Sequence, residues 1–365
     1  MKILINTSNN LTGGSLQVAI SFLNECKAIV ENVYIVVLGD NIEKQINKSN
    51  FPRNFIFYKI VTSPFYKLSK QLKEIERKEN PDRVFTVFGP SYWRPKAKHI
   101  MGFANPYYGR ISRYITNLSE KDKIVLQIKK IMHSYYMNRD ADVIISETQE
   151  ASDAFRKCFK KVKHFSIVSN NCSSYFWEYK KHIKQLSYPD DEFFYLLTLS
   201  NYRPNKNLES IPKVIEELHN RHEFNVRFIL TIDNEIFNKK FSSFSNEIIN
   251  VGPIKAENCP PLYEKCNAMY LPTYLECFSA SYPEAMLMER PILTSNLGFA
   301  RDICKEAAIF FDPDNSDEIA EKIIGLKQSA EMQKALIKKG LERVKEFPNP
   351  KEKTKNILNI IYKND

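Results

Sequence analysis

The stretch LPTYLECFSASYPEAMLMERPILTSNLGFARDICKEAAIFFDP, Leu271 to Pro313, decides the architecture. It is entered through Asn267–Leu271, the end of a short apolar strand, and Pro272-Thr273 breaks any regular element there. Cys277-Phe278-Ser279-Ala280 reads as a turn whose unpaired N–H groups open a helix over about Tyr282–Glu289. Arg290-Pro291 stops that helix, and Ile292–Ser295 resumes as a strand. On this reading Glu284 lies in the first turn of the helix and Glu276 in the loop before it. Both carboxylates then face the crevice beyond the carboxyl end of a parallel strand, where open α/β sheets take ligands. Helix N-termini hold oxyanions through free N–H groups and the aligned dipole. Carboxylates hold polyols by accepting hydrogen bonds from hydroxyls, at about 1.5–3 kcal/mol each. One site with both features suits a phosphorylated sugar. Taken alone, the two glutamates read equally as solvated surface, favourably placed for the helix dipole.

Working outward, Phe193–Leu199 is a strand leading into SNYRPNKNLESIPKVIEEL, and Asn225–Ile232 and Glu247–Val251 are further strands. Gly252-Pro253 is a turn. The first half opens βαβ: strand Lys2–Asn6, a turn through Gly13 and Gly14, a helix over about Ser15–Ala28, and strand Val33–Leu38. The glycine pair permits dihedrals closed to other residues and close approach of N–H groups to a ligand, or serves only a tight turn. Further strands are expected over Phe55–Ile60, Arg83–Phe88, His99–Ala104 and Ala141–Ser146. Asn105-Pro106-Tyr107-Tyr108-Gly109 forms an aromatic loop at a strand end, and His99 reads as an ordinary strand residue. With 365 residues there is room for two cores. The expected division is a first domain over 1–171, an interdomain segment 172–190, a second domain 191–347 and a terminal helix in 348–365.

Composition narrows the function. Hydrophobic content of 43% with 26% charged residues is that of a soluble enzyme, and no apolar run approaches the length of a membrane span or signal peptide. Seven cysteines without CxxC spacing read as reduced cytosolic thiols, and six scattered histidines without HExxH spacing imply no metal site. Charge is uneven: residues 1–165 carry 27 Lys/Arg against 15 Asp/Glu, whereas 166–365 carry 26 against 28. Much of the excess lies in Lys67–Lys98, interleaved with Tyr92 and Trp93 and preceded by Phe65 and Tyr66. Such a surface attracts anionic lipid headgroups or pyrophosphate-linked substrates. No zinc finger or RNA-binding aromatic pattern accompanies it, so nucleic acid is not expected.

Pro272, Thr273, Glu276, Phe278, Glu284, Ala285, Met286, Pro291, Gly298 and Asp312-Pro313 occur in the order found in retaining glycosyltransferases of family 4, which this sequence resembles. Cys277 and Ser279 stand where that pattern has glycines. The resemblance implies a GT-B fold, two Rossmann-like domains facing each other across a cleft, the second binding a nucleotide diphosphate sugar and the first an acceptor, with the terminal helix in 348–365 crossing back to brace the first domain. It implies that Glu284 accepts hydrogen bonds from the ribose and that Glu276 holds sugar hydroxyls, with Cys277, Phe278 and Ser279 around them. Lys206 matches the family lysine that neutralises the diphosphate, Asn201 stands at the position of its arginine, and Arg203 is a nearby substitute. Gly13, Gly14 and Gly252 complete the implied donor contacts, and Asn105 and Tyr107 the acceptor contacts. Glu276, Lys206 and Arg203 are the implied catalytic group, acting without metal or cofactor by front-face attack in which the leaving phosphate takes the acceptor proton.

A UDP-sugar is the favoured donor, although no residue fixes the base or the sugar. The expected acceptor is a glycan or polyprenyl-diphosphate-linked oligosaccharide, at the inner face of a bacterial cytoplasmic membrane, in surface polysaccharide synthesis. A non-catalytic sugar-nucleotide or glycan binder and a sugar-nucleotide epimerase remain open on the same scaffold. Nothing in the sequence sets the oligomeric state.

Overall fold

The computed structural model describes residues 1–9, 14–60, 65–108, 118–183, 186, 189 and 192–363. The described residues divide into two compact units, one formed by those within 1–108, 118–170 and 348–363, the other by those within 171–347.

In the first unit, seven strands form one sheet: β1 (Lys2–Thr7), β2 (Val33–Leu38), β3 (Phe55–Lys59), β4 (Arg83–Thr86), β5 (Lys98–Gly102), β6 (Val143–Ser146) and β7 (His164–Ile167). Their order is β3-β2-β1-β4-β5-β6-β7 and every pairing is parallel. Alternate residues feed opposite cores: Ile3, Ile5 and Val36 enter one, Leu4, Ile35 and Val37 the other. A sheet buried on both faces explains why these strands read as continuous apolar runs. The terminal helix Pro350–Tyr362 starts at a capping box, Asn349 with Glu352, and buries Ile357, Leu358 and Ile361 in the first of these cores. Trp93, read from sequence as part of a basic-aromatic surface, is instead fully buried with Leu4, Ile35 and Val84.

The second unit repeats the plan with β8 (Phe194–Thr198), β9 (Val226–Leu230), β10 (Ile248–Asn250), β11 (Ala268–Leu271), β12 (Ile292–Ser295) and β13 (Ile309–Phe311). All pairings are parallel, in the order β10-β9-β8-β11-β12-β13. This is the Rossmann order, in which the winding reverses between β8 and β11. The segment expected to link the domains is not a plain linker: Ser174–His182 is a helix, and its buried Phe176 packs edge-on against Tyr263 at 5.6 Å. That helix therefore belongs to the second unit. Two Rossmann-like domains of this kind make a GT-B fold.

Candidate functional site

The carboxyl ends of β8 and β11 lie side by side at the reversal point, and the loops leaving them carry the charged residues singled out above. Beyond β8 the chain makes a short 3-10 turn, Pro204–Lys206, because Pro204 presets its first dihedral and Asn207 ends it in the left-handed region at φ 54°. Beyond β11, Pro272 and Thr273 release the chain toward Glu276. Lys206 Nζ and a Glu276 carboxylate oxygen form an ion pair between these two loops. Their side chains are only 16% and 14% exposed, so solvent screens the pair far less than it would on the surface.

Two asparagines flanking Lys206 hold the arrangement. Asn205 Nδ2 donates to the Leu275 carbonyl at 2.9 Å, while the Asn205 carbonyl accepts from Tyr274 N–H at 2.8 Å and Thr273 Oγ1 at 2.9 Å. Asn207 Nδ2 donates to the Pro313 carbonyl at 3.1 Å, tying in the loop that follows β13. Both asparagines are buried. The sequence analysis does not single them out, because the carbonyls they hold lie 70 and 106 residues away.

Glu284 lies in the first turn of the helix Ser281–Leu287, as the spacing predicts. The residue is buried, and Oε2 accepts from the Tyr263 hydroxyl at 3.1 Å; Oε1 has no hydrogen-bond partner among the described residues. Burial pushes the carboxyl up to about 7, and the Tyr263 hydrogen bond pulls the other way without prevailing. Ahead of the helix, the N–H groups of Phe278 and Ser279 donate to no acceptor among the described residues. Phe278 rests edge-on against Phe347, and Cys277 and Ser279 are buried.

The remaining expected donor residues are more scattered. Arg203 is exposed, without a side-chain partner among the described residues, and Asn201 is exposed with its carbonyl accepting from Ser200 Oγ at 2.9 Å. Gly252 follows the edge strand β10, two strands from β8 and thus roughly 10 Å across the sheet. Its φ of +74° favours glycine there.

In the first unit a cleft of about 210 Å³ lies at the corresponding reversal, lined by Asn9, Ser15, Phe88, Gly89, Phe103, Ala104 and Asn105. Asn105 Oδ1 accepts from Tyr107 N–H at 3.1 Å, which closes the turn; Tyr107 itself does not line the cleft. Gly13 lies outside the described residues. Gly14 opens the helix Gly14–Cys26 without a positive φ, and an added Cβ would meet nothing within 4 Å. Gly14 therefore supplies no special dihedral, contrary to the sequence reading. His99 is fully buried, bonded to Thr86 Oγ1 at 2.8 Å and to the Asp140 carbonyl at 3.0 Å, and burial pushes its imidazole down to about 3. It is a neutral packing residue.

Residues 179–343 match the family model described as glycosyl transferases group 1. No curated protein matches the chain. Among solved structures, the Anabaena protein HepE in complex with UDP and glucose is similar at a TM-score of 0.70 and 12% identity, over 99% of both chains. Sucrose-phosphate synthase from Thermosynechococcus elongatus is similar at 0.73 and 13% identity, over 99% of this chain and 98% of that one. A glycosyltransferase from Rickettsia africae is similar at 0.72 and 15% identity, over 100% and 99%.

Proposed function

We propose that this chain is a glycosyltransferase that moves a sugar from a nucleotide diphosphate sugar to an acceptor hydroxyl with retention of configuration. The observation that carries the reading is the Lys206–Glu276 ion pair at the winding reversal of the second sheet. Without donor, each group neutralises the other. A diphosphate arriving there competes for Lys206 and frees Glu276 to accept from sugar hydroxyls. As the glycosidic bond breaks, negative charge grows on the leaving phosphate, and a fixed cation stabilises that state more than the ground state. Arg203, exposed and close in sequence, adds a second cation, and the free N–H groups of Phe278 and Ser279 add donors.

Tyr263 occupies one oxygen of Glu284 and leaves the other for a ribose hydroxyl. Gly252 lets backbone approach the base, with UDP favoured; HepE was solved with UDP and with UDP-glucose. Attack occurs on the face from which the diphosphate leaves. The acceptor oxygen bonds to the anomeric carbon, the carbon–phosphate oxygen bond breaks, and that phosphate oxygen takes the acceptor proton. Asn105, in the cleft of the first unit, serves acceptor binding. The acceptor is a glycan, lipid-linked at the inner face of a bacterial membrane, and the product feeds surface polysaccharide.

The test is a screen of nucleotide sugars for protection against thermal unfolding, followed by assay of nucleotide release. A bound donor raises the transition by mass action. Protection by one donor, lost in Lys206→Ala and Glu284→Ala, supports the assignment, and unchanged donor affinity in both variants overturns it. Protection without nucleotide release in the presence of acceptors favours a non-catalytic binder, a reading that the exposed Asn201 at the expected arginine position keeps alive.

A further inference from the structure

The helix Glu120–Asp140 in the first unit turns an apolar stripe outward. Ile124, Ile128, Ile131 and Tyr135 are 60%, 61%, 71% and 60% exposed. At 100° per residue these four positions fall within roughly 60° of arc, so they form one continuous ridge. The opposite face carries the helix's attachment: Met137 and Asp140 are buried, and His133 and Tyr136 contact Tyr92. Solvent is therefore offered the side that an ordinary surface helix makes polar. Isolated exposed apolar residues need no explanation, but an aligned row of four large ones marks an interaction surface.

Charge selects the partner. Lys121 borders the ridge, while Lys129 and Lys130 lie further round the helix toward its attached face; none has an anionic partner among the described residues. The neighbouring carboxylates are already engaged: Glu120 pairs with Lys123 at 2.7 Å, and Asp122 accepts from Ser119 Oγ at 2.6 Å. The unit as a whole is basic. A second copy seated on this ridge by two-fold symmetry would bring like charges together. An anionic bilayer satisfies both features at once, with isoleucines at the headgroup–acyl boundary and lysines among the phosphates. No helix among the described residues is long and apolar enough to cross a membrane, so this element lies in the interface rather than spanning it.

We propose that the helix Glu120–Asp140 is an interfacial anchor that inserts Ile124, Ile128, Ile131 and Tyr135 into the surface of an anionic membrane. This deepens the membrane part of the reading above and is independent of the donor chemistry. Full-length protein should co-sediment with phosphatidylcholine vesicles containing phosphatidylglycerol, and far less with phosphatidylcholine alone. The double variant Ile128→Ser/Ile131→Ser should weaken binding about tenfold or more, and Lys121→Gln/Lys129→Gln should weaken it with a shallower salt dependence. Both pairs are exposed, and an unchanged thermal transition establishes that the variants fold. Vesicle binding equal to wild type in the folded isoleucine variant overturns the proposal. So does a wild-type chain that ignores anionic vesicles but changes from dimer to monomer on the same substitution. Donor protection measured in parallel separates the two readings: vesicle binding without protection by any nucleotide sugar counts against the transferase and leaves the anchor standing.

Discussion

Tyr263 donates its hydroxyl to Glu284 Oε2 at 3.1 Å, yet burial still raises the Glu284 carboxyl from its ordinary 4.5 to about 7. The folded state thus prefers this carboxyl protonated, while the unfolded chain ionises it above its ordinary value. Its contribution to stability is full below the unfolded value and is lost as pH rises through the folded one. The loss above pH 7 is about 3 kcal/mol. Glu284→Gln removes that linkage. In urea titrations the variant should match wild type near pH 4 and exceed it by up to about 3 kcal/mol near pH 8. Parallel pH profiles for the two proteins would falsify the assignment of this titration to Glu284.

The same carboxyl should make donor binding pH-dependent in the opposite sense. If Glu284 holds the donor ribose as proposed, its ionised form accepts from the ribose hydroxyls more strongly than its protonated form. Affinity for the donor should therefore rise as pH passes about 7, and the rise should vanish in Glu284→Gln, which binds more weakly throughout. Isothermal titration across that range reads it directly, and a pH-dependent variant would assign the effect to some other group.

Lys206 and Glu276 depend on each other in the free protein. Lys206→Ala leaves a mostly buried carboxylate without its counter-ion and should cost about 2 kcal/mol of stability as well as donor binding. Glu276→Gln leaves the Lys206 ammonium without its counter-ion and should cost a similar amount, and it should lower kcat as well if Glu276 holds the sugar hydroxyls as proposed. The double variant should recover stability relative to Lys206→Ala, and not activity. Additive stability losses in that cycle would mean the two side chains do not interact.

The strands were readable because apolar, β-branched runs end in proline, glycine or polar turns, as Val33–Leu38 and Ile292–Ser295 do. The loop-then-helix placement of Glu276 and Glu284 followed from Arg290-Pro291 stopping the helix and Pro272 ending the strand. Three features were not readable. Ser174–His182 was missed because its sequence, SYFWEYKKH, has no clean helical apolar period and only Phe176 is buried. Trp93 sits among basic residues in sequence, yet a tertiary pocket under the first sheet decides its burial. The buried roles of Asn205 and Asn207 depend on carbonyls of Leu275 and Pro313, 70 and 106 residues away, which no local pattern encodes.

Asn207 offers a test of that long-range fastening. Its left-handed φ of 54° suits asparagine or glycine, and its side chain holds the Pro313 carbonyl. Asn207→Ala loses both and should cost about 2 kcal/mol, whereas Asn207→Gly restores the dihedral and should cost about 1 kcal/mol. If the loop geometry also positions Lys206, both variants should lower kcat more than they raise KM. Variants equal in stability would mean that the dihedral contributes nothing.

The terminal helix should stabilise the first unit specifically. Leu358 is 2% exposed in the core shared with Ile3, Phe22 and Val36, so Leu358→Ala should cost about 2–4 kcal/mol through lost burial and the cavity left behind. Arg83 Nε donates to the Ile361 carbonyl at 3.2 Å and Asn32 Nδ2 to the Tyr362 hydroxyl at 2.6 Å, so the end of the helix is fastened at both sides of β1. Because the proposed donor residues Lys206, Glu276 and Glu284 lie in the other unit, Leu358→Ala should lower the unfolding transition of the first unit and leave donor-dependent protection of the second intact. Scanning calorimetry with and without donor separates the two transitions. Equal loss in both would show that the units unfold as one and that the helix braces the whole chain.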